Sequence, residues 1–151
     1  MREILFRGKA YDKKWVEGCL IAIPEYNYFC ILEDEDKVHP MDYPYLDETL
    51  GTFDGKATPV NPSTICQFTG MTDKNGKRIF ENDICKCIEV HSWGVEEFVS
   101  KMEWIDYGWW FDTANGYYPL CNFDNSYDWL SHVAEIEVIG NIFDNPELLE
   151  R

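Results

Sequence analysis

A chain of 151 residues that is 45% hydrophobic and 16% aromatic can bury a core as one compact unit or two small packed lobes. Its formal charge of −15, from 28 acids and 13 bases, repels phosphate and excludes direct nucleic-acid or anionic-membrane binding as the expected role. No run approaches the roughly 18 to 20 apolar residues that cross a bilayer, and the opening MREILFRGKAYDKKW lacks an apolar signal segment, so a soluble, cytoplasmic protein is expected.

Six Trp, nine Tyr and nine Phe favour half-buried pleated surfaces and predict a mainly β protein. Residues 3–10 and 15–23 read as two strands joined by the short link Tyr11–Lys14, an N-terminal β-hairpin, and residues 28–32 form a third apolar run. From Glu33 to Pro62 an acidic cluster, Pro40, Pro44, Pro59 and Pro62, and two glycines predict a long irregular connection with room for one short element near residues 41–46. The first region is therefore drawn at residues 1–62, an N-terminal β lobe, and the second at 63–151, the two expected to form one compact unit.

In the second region strands are predicted over residues 63–68, 78–80, 84–90, 95–104, 109–111 and 135–142. Alternation supports them: Glu135 and Glu137 share one face and Ile136 and Val138 the other, while Phe98, Ser100, Met102 and Trp104 line one side. Residues 122–133 have the pattern of a helical turn or two. A short C-terminal helix is expected with Asn145 as N-cap and Pro146 at its first position.

The stretch TGMTDKNGKRIFENDI, residues 69–84, is dense in turn signals. Asn75-Gly76 predicts a two-residue type I′ hairpin, in which both residues take positive φ. Asn82 is the residue expected in the left-handed region of a second turn, and Lys74, Lys77 and Arg78 mark the solvent side.

Three blocks carry a family likeness: Arg2 to Lys9 followed by Trp15 and Gly18, the central CQFTGMTDKNGKRIFENDI, and the closing EVIGNIFDNPELL. Together they resemble the YopX family of phage and prophage proteins from Arg2 to Leu149. Asn82 stands where a Gly is expected and Met71 where a Leu is expected, both conservative departures. The resemblance implies a small β protein of phage origin, an SH3-like barrel in the C-terminal half, and assembly into homo-oligomers. It transfers no activity and no catalytic residues.

The six cysteines show no disulfide or metal spacing. Cys85 and Cys87 share one face of a strand, which suits core packing, whereas a zinc site needs Cys66, Cys121, His91 or His132 to converge on them. Free thiols, no metal and no cofactor are expected. His39, His91 and His132 lie beside no nucleophile motif, although a His/Cys pair brought together by the fold stays open. Glu33–Asp36 has the acids of half a calcium loop but neither its Gly nor its closing Glu, and reads as a solvated loop.

One cluster stands out for function. Trp104, Tyr107, Trp109, Trp110, Tyr117 and Tyr118 crowd a stretch with no base between Lys101 and Arg151. Exposed, these rings would make a surface for Arg- or Pro-containing peptides; buried, they fill a core. The expected function is a protein-binding, self-associating module with a host or phage protein as partner, and not an enzyme. Two rivals are an acidic nucleic-acid mimic that occupies a host DNA-binding protein, and a small metal-dependent or hydrolytic enzyme, for which no acid, base and nucleophile stand at recognisable spacing.

Overall fold

A computed structural model describes residues 4–33, 46–47, 52–53, 57–91, 93–113, 116–120 and 132–150. These residues are mainly β, with no helix of seven residues or more among them. The chain divides into two compact units, Met1–Phe68 and Thr69–Arg151.

In the N-terminal unit β1 (Phe6–Ala10), β2 (Trp15–Ile23) and β3 (Tyr28–Leu32) form an antiparallel meander. A small ladder follows, β4 (Leu46–Asp47) against β5 (Thr52–Phe53), and then the long β6 (Ala57–Thr72). The start of β6 pairs with β3 and its later residues with β1, so the ladder β1-β2-β3-β6 returns to β1. Val16, Ile31 and Val60 are buried inside, with Phe6, Leu20, Phe29 and Ile65 packed against them. Gly18 is required here: a Cβ would run into the Leu32 carbonyl oxygen of the neighbouring strand.

The irregular connection predicted up to Pro62 ends earlier, because β6 starts at Ala57 and contains Pro59 and Pro62. The strand changes partner just after Pro59, and Pro62 falls where its register against β1 shifts, between Asn61 opposite Lys9 and Cys66 opposite Arg7. There Ser63 N–H donates to Asn61 Oδ1 and Thr64 Oγ1 to the Asn61 carbonyl, replacing ladder bonds by a local bend. A proline costs nothing at a position that makes no ladder bond.

The C-terminal unit holds the end of β6, then β7 (Arg78–Phe80), β8 (Asp83–His91), β9 (Gly94–Ile105), β10 (Gly108–Thr113), β11 (Gly116–Pro119) and β12 (His132–Asn141). The last five form one antiparallel sheet in the order β11-β10-β9-β8-β12. Its inner face supplies the core: Cys85, Cys87, Met102, Trp109, Phe111, Ile136 and Val138, with Ile79 and Leu120. Phe98 meets Phe111 edge to face at 6.4 Å. Removing a side chain such as Phe111 from water contributes about 1.5 to 3 kcal/mol.

The hairpin at Asn75-Gly76 is present, but not as a type I′ turn. Only Gly76 takes positive φ, and the loop is closed by Gly76 N–H to the Asp73 carbonyl and Asp73 N–H to the Lys77 carbonyl. This is a three-residue loop, a turn followed by a left-handed glycine. Asp73 is the reason: its Oδ1 accepts from the N–H groups of both Asn75 and Lys77 at 2.9 Å, which holds the residues before Gly76 in a right-handed turn. Asn82 is left-handed, φ 65°, and its turn ties two elements, donating to the Met102 carbonyl and accepting from Ile142 N–H.

The expected C-terminal helix is a single 3-10 turn, Pro146–Leu149. Asn145 stands before it without capping it, because its side-chain oxygen accepts from Asn141 N–H instead. A four-residue segment closes too few bonds to offset helix nucleation. The helical turn expected at residues 122–133 lies largely outside the described residues, and its end, from His132, belongs to β12.

Candidate functional site

β9 and β10 form the hairpin that carries most of the aromatic cluster. Ile105 pairs with Gly108, leaving Asp106 and Tyr107 as a two-residue turn. Both take positive φ, 46° and 67°, as a type I′ turn requires. The usual occupants are Asn and Gly, so a tyrosine at the second position is held against its preference. Tyr107 is also 95% exposed.

Below the apex the rings act as a stem. Trp104 and Trp109 face each other across the ladder, ring centroids 4.8 Å apart and planes inclined 68°, an edge-to-face pair. Trp109 is 8% exposed and belongs to the core, while Trp104 is 46% exposed. One ring anchors the other. On the opposite face Trp110 pairs with Glu103, and its indole nitrogen would lie 2.9 Å from a Cβ at residue 108, so only glycine there lets the ring fold back towards the turn. The indole N–H groups of Trp109 and Trp110 are buried and have no hydrogen-bond partner among the described residues. Both tryptophans therefore act here through their rings.

Tyr117, 54% exposed, stands opposite Asp112 across the β10–β11 ladder. Tyr118 is paired in backbone with Phe111 on the same ladder. The six aromatic residues thus belong to three consecutive strands and one turn, with Tyr107, Trp104 and Tyr117 presented and Trp109 withdrawn. Charge surrounds them: Asp106 at the apex, Asp112 beside Tyr117, and Glu103, whose carboxylate meets Lys101 Nζ at 2.8 Å.

The other groups marked in the sequence have structural duties. Cys30, Cys66, Cys85 and Cys87 are buried, Cys19 is half-buried, and none of the five forms a disulfide. Burial pushes the Cys30 thiol up to about 11 and raises those of Cys85 and Cys87 as well, disfavouring the thiolate that a nucleophile or metal ligand needs. Among the described residues no group of three or more His, Cys, Asp or Glu side chains could hold a metal. His39, Cys121 and the acidic loop at Asp34–Asp36 lie outside them. No helix among the described residues is long and apolar enough to cross a membrane.

Three carboxylates, Asp73, Asp83 and Glu89, are buried among the described residues, and two of them have clear structural duties. Asp83 Oδ2 accepts from Phe80 N–H at 2.8 Å, which tightens the turn between β7 and β8. Asp73, besides its two bonds within the hairpin loop, accepts from Val138 N–H on β12 through Oδ2 at 2.9 Å. Burial alone would raise its carboxyl, but the three backbone donors outweigh that and hold it below the usual carboxylate range. Lys74, next to it, lies within reach of both Glu137 and Glu135, and its ammonium is raised chiefly by the bond to Glu137. The signal for Asp73 was present: an Asp at the head of a Lys-Asn-Gly loop is the residue whose side chain can close it.

No curated protein matches the chain. The profile of the family described as YopX protein matches residues 5–150, nearly the whole sequence. The chain belongs to the YopX family.

Proposed function

We propose that this protein acts by binding another protein, and that the apex of the β9–β10 hairpin is the docking surface. The observation that carries the reading is Tyr107. It is 95% exposed and sits at φ 67°, so it contributes little burial while costing about 1 kcal/mol or more in backbone strain. The same chain places Gly76 at the left-handed position of the Asp73–Lys77 loop and short polar or flexible side chains, Lys13 and Asn27, at those of two others. Strain kept at an exposed aromatic, braced by the Trp104–Trp109 pair, fits a residue retained for contact.

On this reading the protein is phage-encoded, works in the cytoplasm of the bacterial host, and self-associates as part of its function, with the C-terminal sheet forming an SH3-like barrel. The acidic-mimic alternative is weakened by the lysines set among the sheet's carboxylates: Lys74 between Glu135 and Glu137, Lys86 on Glu97, Lys101 on Glu103. Such interleaving breaks up a phosphate-like stripe.

The test is a photo-crosslinking amino acid placed at position 107 or, as a control, at Tyr11, another exposed ring, in the N-terminal unit. In infected host cells, one defined protein cross-linked from position 107 and absent from position 11 is expected. Equal labelling from both positions, or none from 107, refutes the reading.

A further inference from the structure

We infer that the segment docking on this hairpin is basic and extended, and that it presents arginine side chains to the exposed rings. The inference rests on the docking role just proposed and names the chemistry of the partner.

Two of the presented rings have a carboxylate close by in the chain or across the ladder. Tyr107 follows Asp106 in the turn, and Tyr117 faces Asp112; Trp104, across from Trp109, lies on the other face of the ladder and takes no part. Residues 87–151 contain 13 acids but only Lys101 and Arg151 as bases, and Lys101 is held by Glu103 at 2.8 Å. The surface therefore offers ring faces and negative charge together. A cation answers both at once, whereas an apolar or proline-rich segment would leave the carboxylates desolvated without a partner.

The N-terminal unit contains the filled form of this contact. Trp15 carries the Arg7 guanidinium 4.8 Å from its ring centroid and the Lys9 ammonium at 5.8 Å. Arginine suits the second site better than lysine, because a planar guanidinium stacks on a ring while its edge bonds a carboxylate. From Gly108 at the turn to Asp112, the partner of Tyr117, is four strand residues, about 13 Å at the usual rise. An extended segment with arginines four positions apart covers that span.

The experiment titrates the intact protein, followed by tryptophan fluorescence, with a soluble glycine/serine peptide carrying two arginines four positions apart. Matched peptides carry lysine or the uncharged isostere citrulline, and a fourth is proline-rich. The arginine peptide is expected to bind at least about tenfold more tightly than the citrulline peptide, and more weakly as salt rises. Tyr107→Ser combined with Tyr117→Ser leaves the net charge unchanged and should cost about tenfold or more. Tyr107→Ser alone, at a side chain without packing, should still cost several-fold.

Equal affinity for arginine and citrulline, or unchanged binding by the Tyr107→Ser variant, overturns the inference, the latter marking diffuse attraction to an acidic surface. If the proline-rich peptide alone binds and is lost in the variants, the docking role stands and the arginine assignment falls. Light scattering separates the remaining occupant: a second copy seated here would associate more tightly as salt screens repulsion, and blocking of the peptide by that copy would also overturn the assignment.

Discussion

Asp73→Asn tests how the C-terminal unit is locked. The wild-type carboxylate is 7% exposed and accepts three backbone N–H bonds, two inside the hairpin loop and one from Val138 on β12. Asparagine fills the same volume. Its oxygen can keep the Asn75 and Lys77 donors, but its NH₂ then faces the Val138 N–H, donor against donor. Losing one hydrogen bond to a charged group costs about 1.5 to 3 kcal/mol, and reducing the other two to neutral strength adds to it. A loss of about 3 kcal/mol is expected at neutral pH in urea unfolding, a large share of the roughly 5 to 15 kcal/mol that a domain possesses. The pH dependence gives a second check. The folded carboxyl lies below its ordinary value, so its contribution is complete above about pH 4 and is lost as pH falls through the depressed folded value. The difference between wild type and variant should therefore hold at neutral pH and close on strong acidification. A variant as stable as wild type at neutral pH, or a difference that persists unchanged in acid, would refute the reasoning.

Two glycines should respond in an order opposite to the size of the change. Gly18→Ala drives a Cβ into the Leu32 carbonyl and should cost about 3 kcal/mol or more, whereas Gly76→Val enters open space, pays only for φ 80°, and should cost about 1 to 2 kcal/mol by the same unfolding assay. The reverse order would mean that the close approach of β2 and β3 is misplaced. Thiol titration of the native protein should label Cys19 first and leave Cys85 and Cys87 unreactive until unfolding, when all six cysteines react. Rapid native labelling of Cys85 would contradict its burial.

Much of the fold was legible because its signals are local. Alternation in Glu135–Ile139 and Phe98–Trp104 located β12 and β9, and Asn82 was correctly placed in a left-handed turn. The errors came from a local signal missed or from a distant group that decides the local form. Asp73, the local group that makes the loop a three-residue one, was legible but passed over, and nothing near it shows that it also holds Val138, 65 residues away. Pro59 and Pro62 read as breakers, yet β6 runs through them because its partner changes from β3 to β1 after Pro59 and its register against β1 shifts at Pro62. The C-terminal helix failed for a simpler reason, since Pro146–Leu149 is too short to propagate one. At the candidate site the sequence located the rings but left open which of them are presented. That depends on the register of β9 against β10, which sets Trp109 over the core and brings Asp106-Tyr107 to the apex. An Asp-Tyr pair carries no hairpin signal comparable to Asn-Gly, so the strained tyrosine was found only in the structure.

The most direct test of the central claim is Tyr107→Gly, read by thermal unfolding beside retention of the protein that cross-links at position 107. Glycine relieves the left-handed strain and removes an exposed ring, so the account predicts a melting temperature about 2 to 4 °C higher together with loss of the partner. A variant that is less stable than wild type and still retains the partner would contradict it.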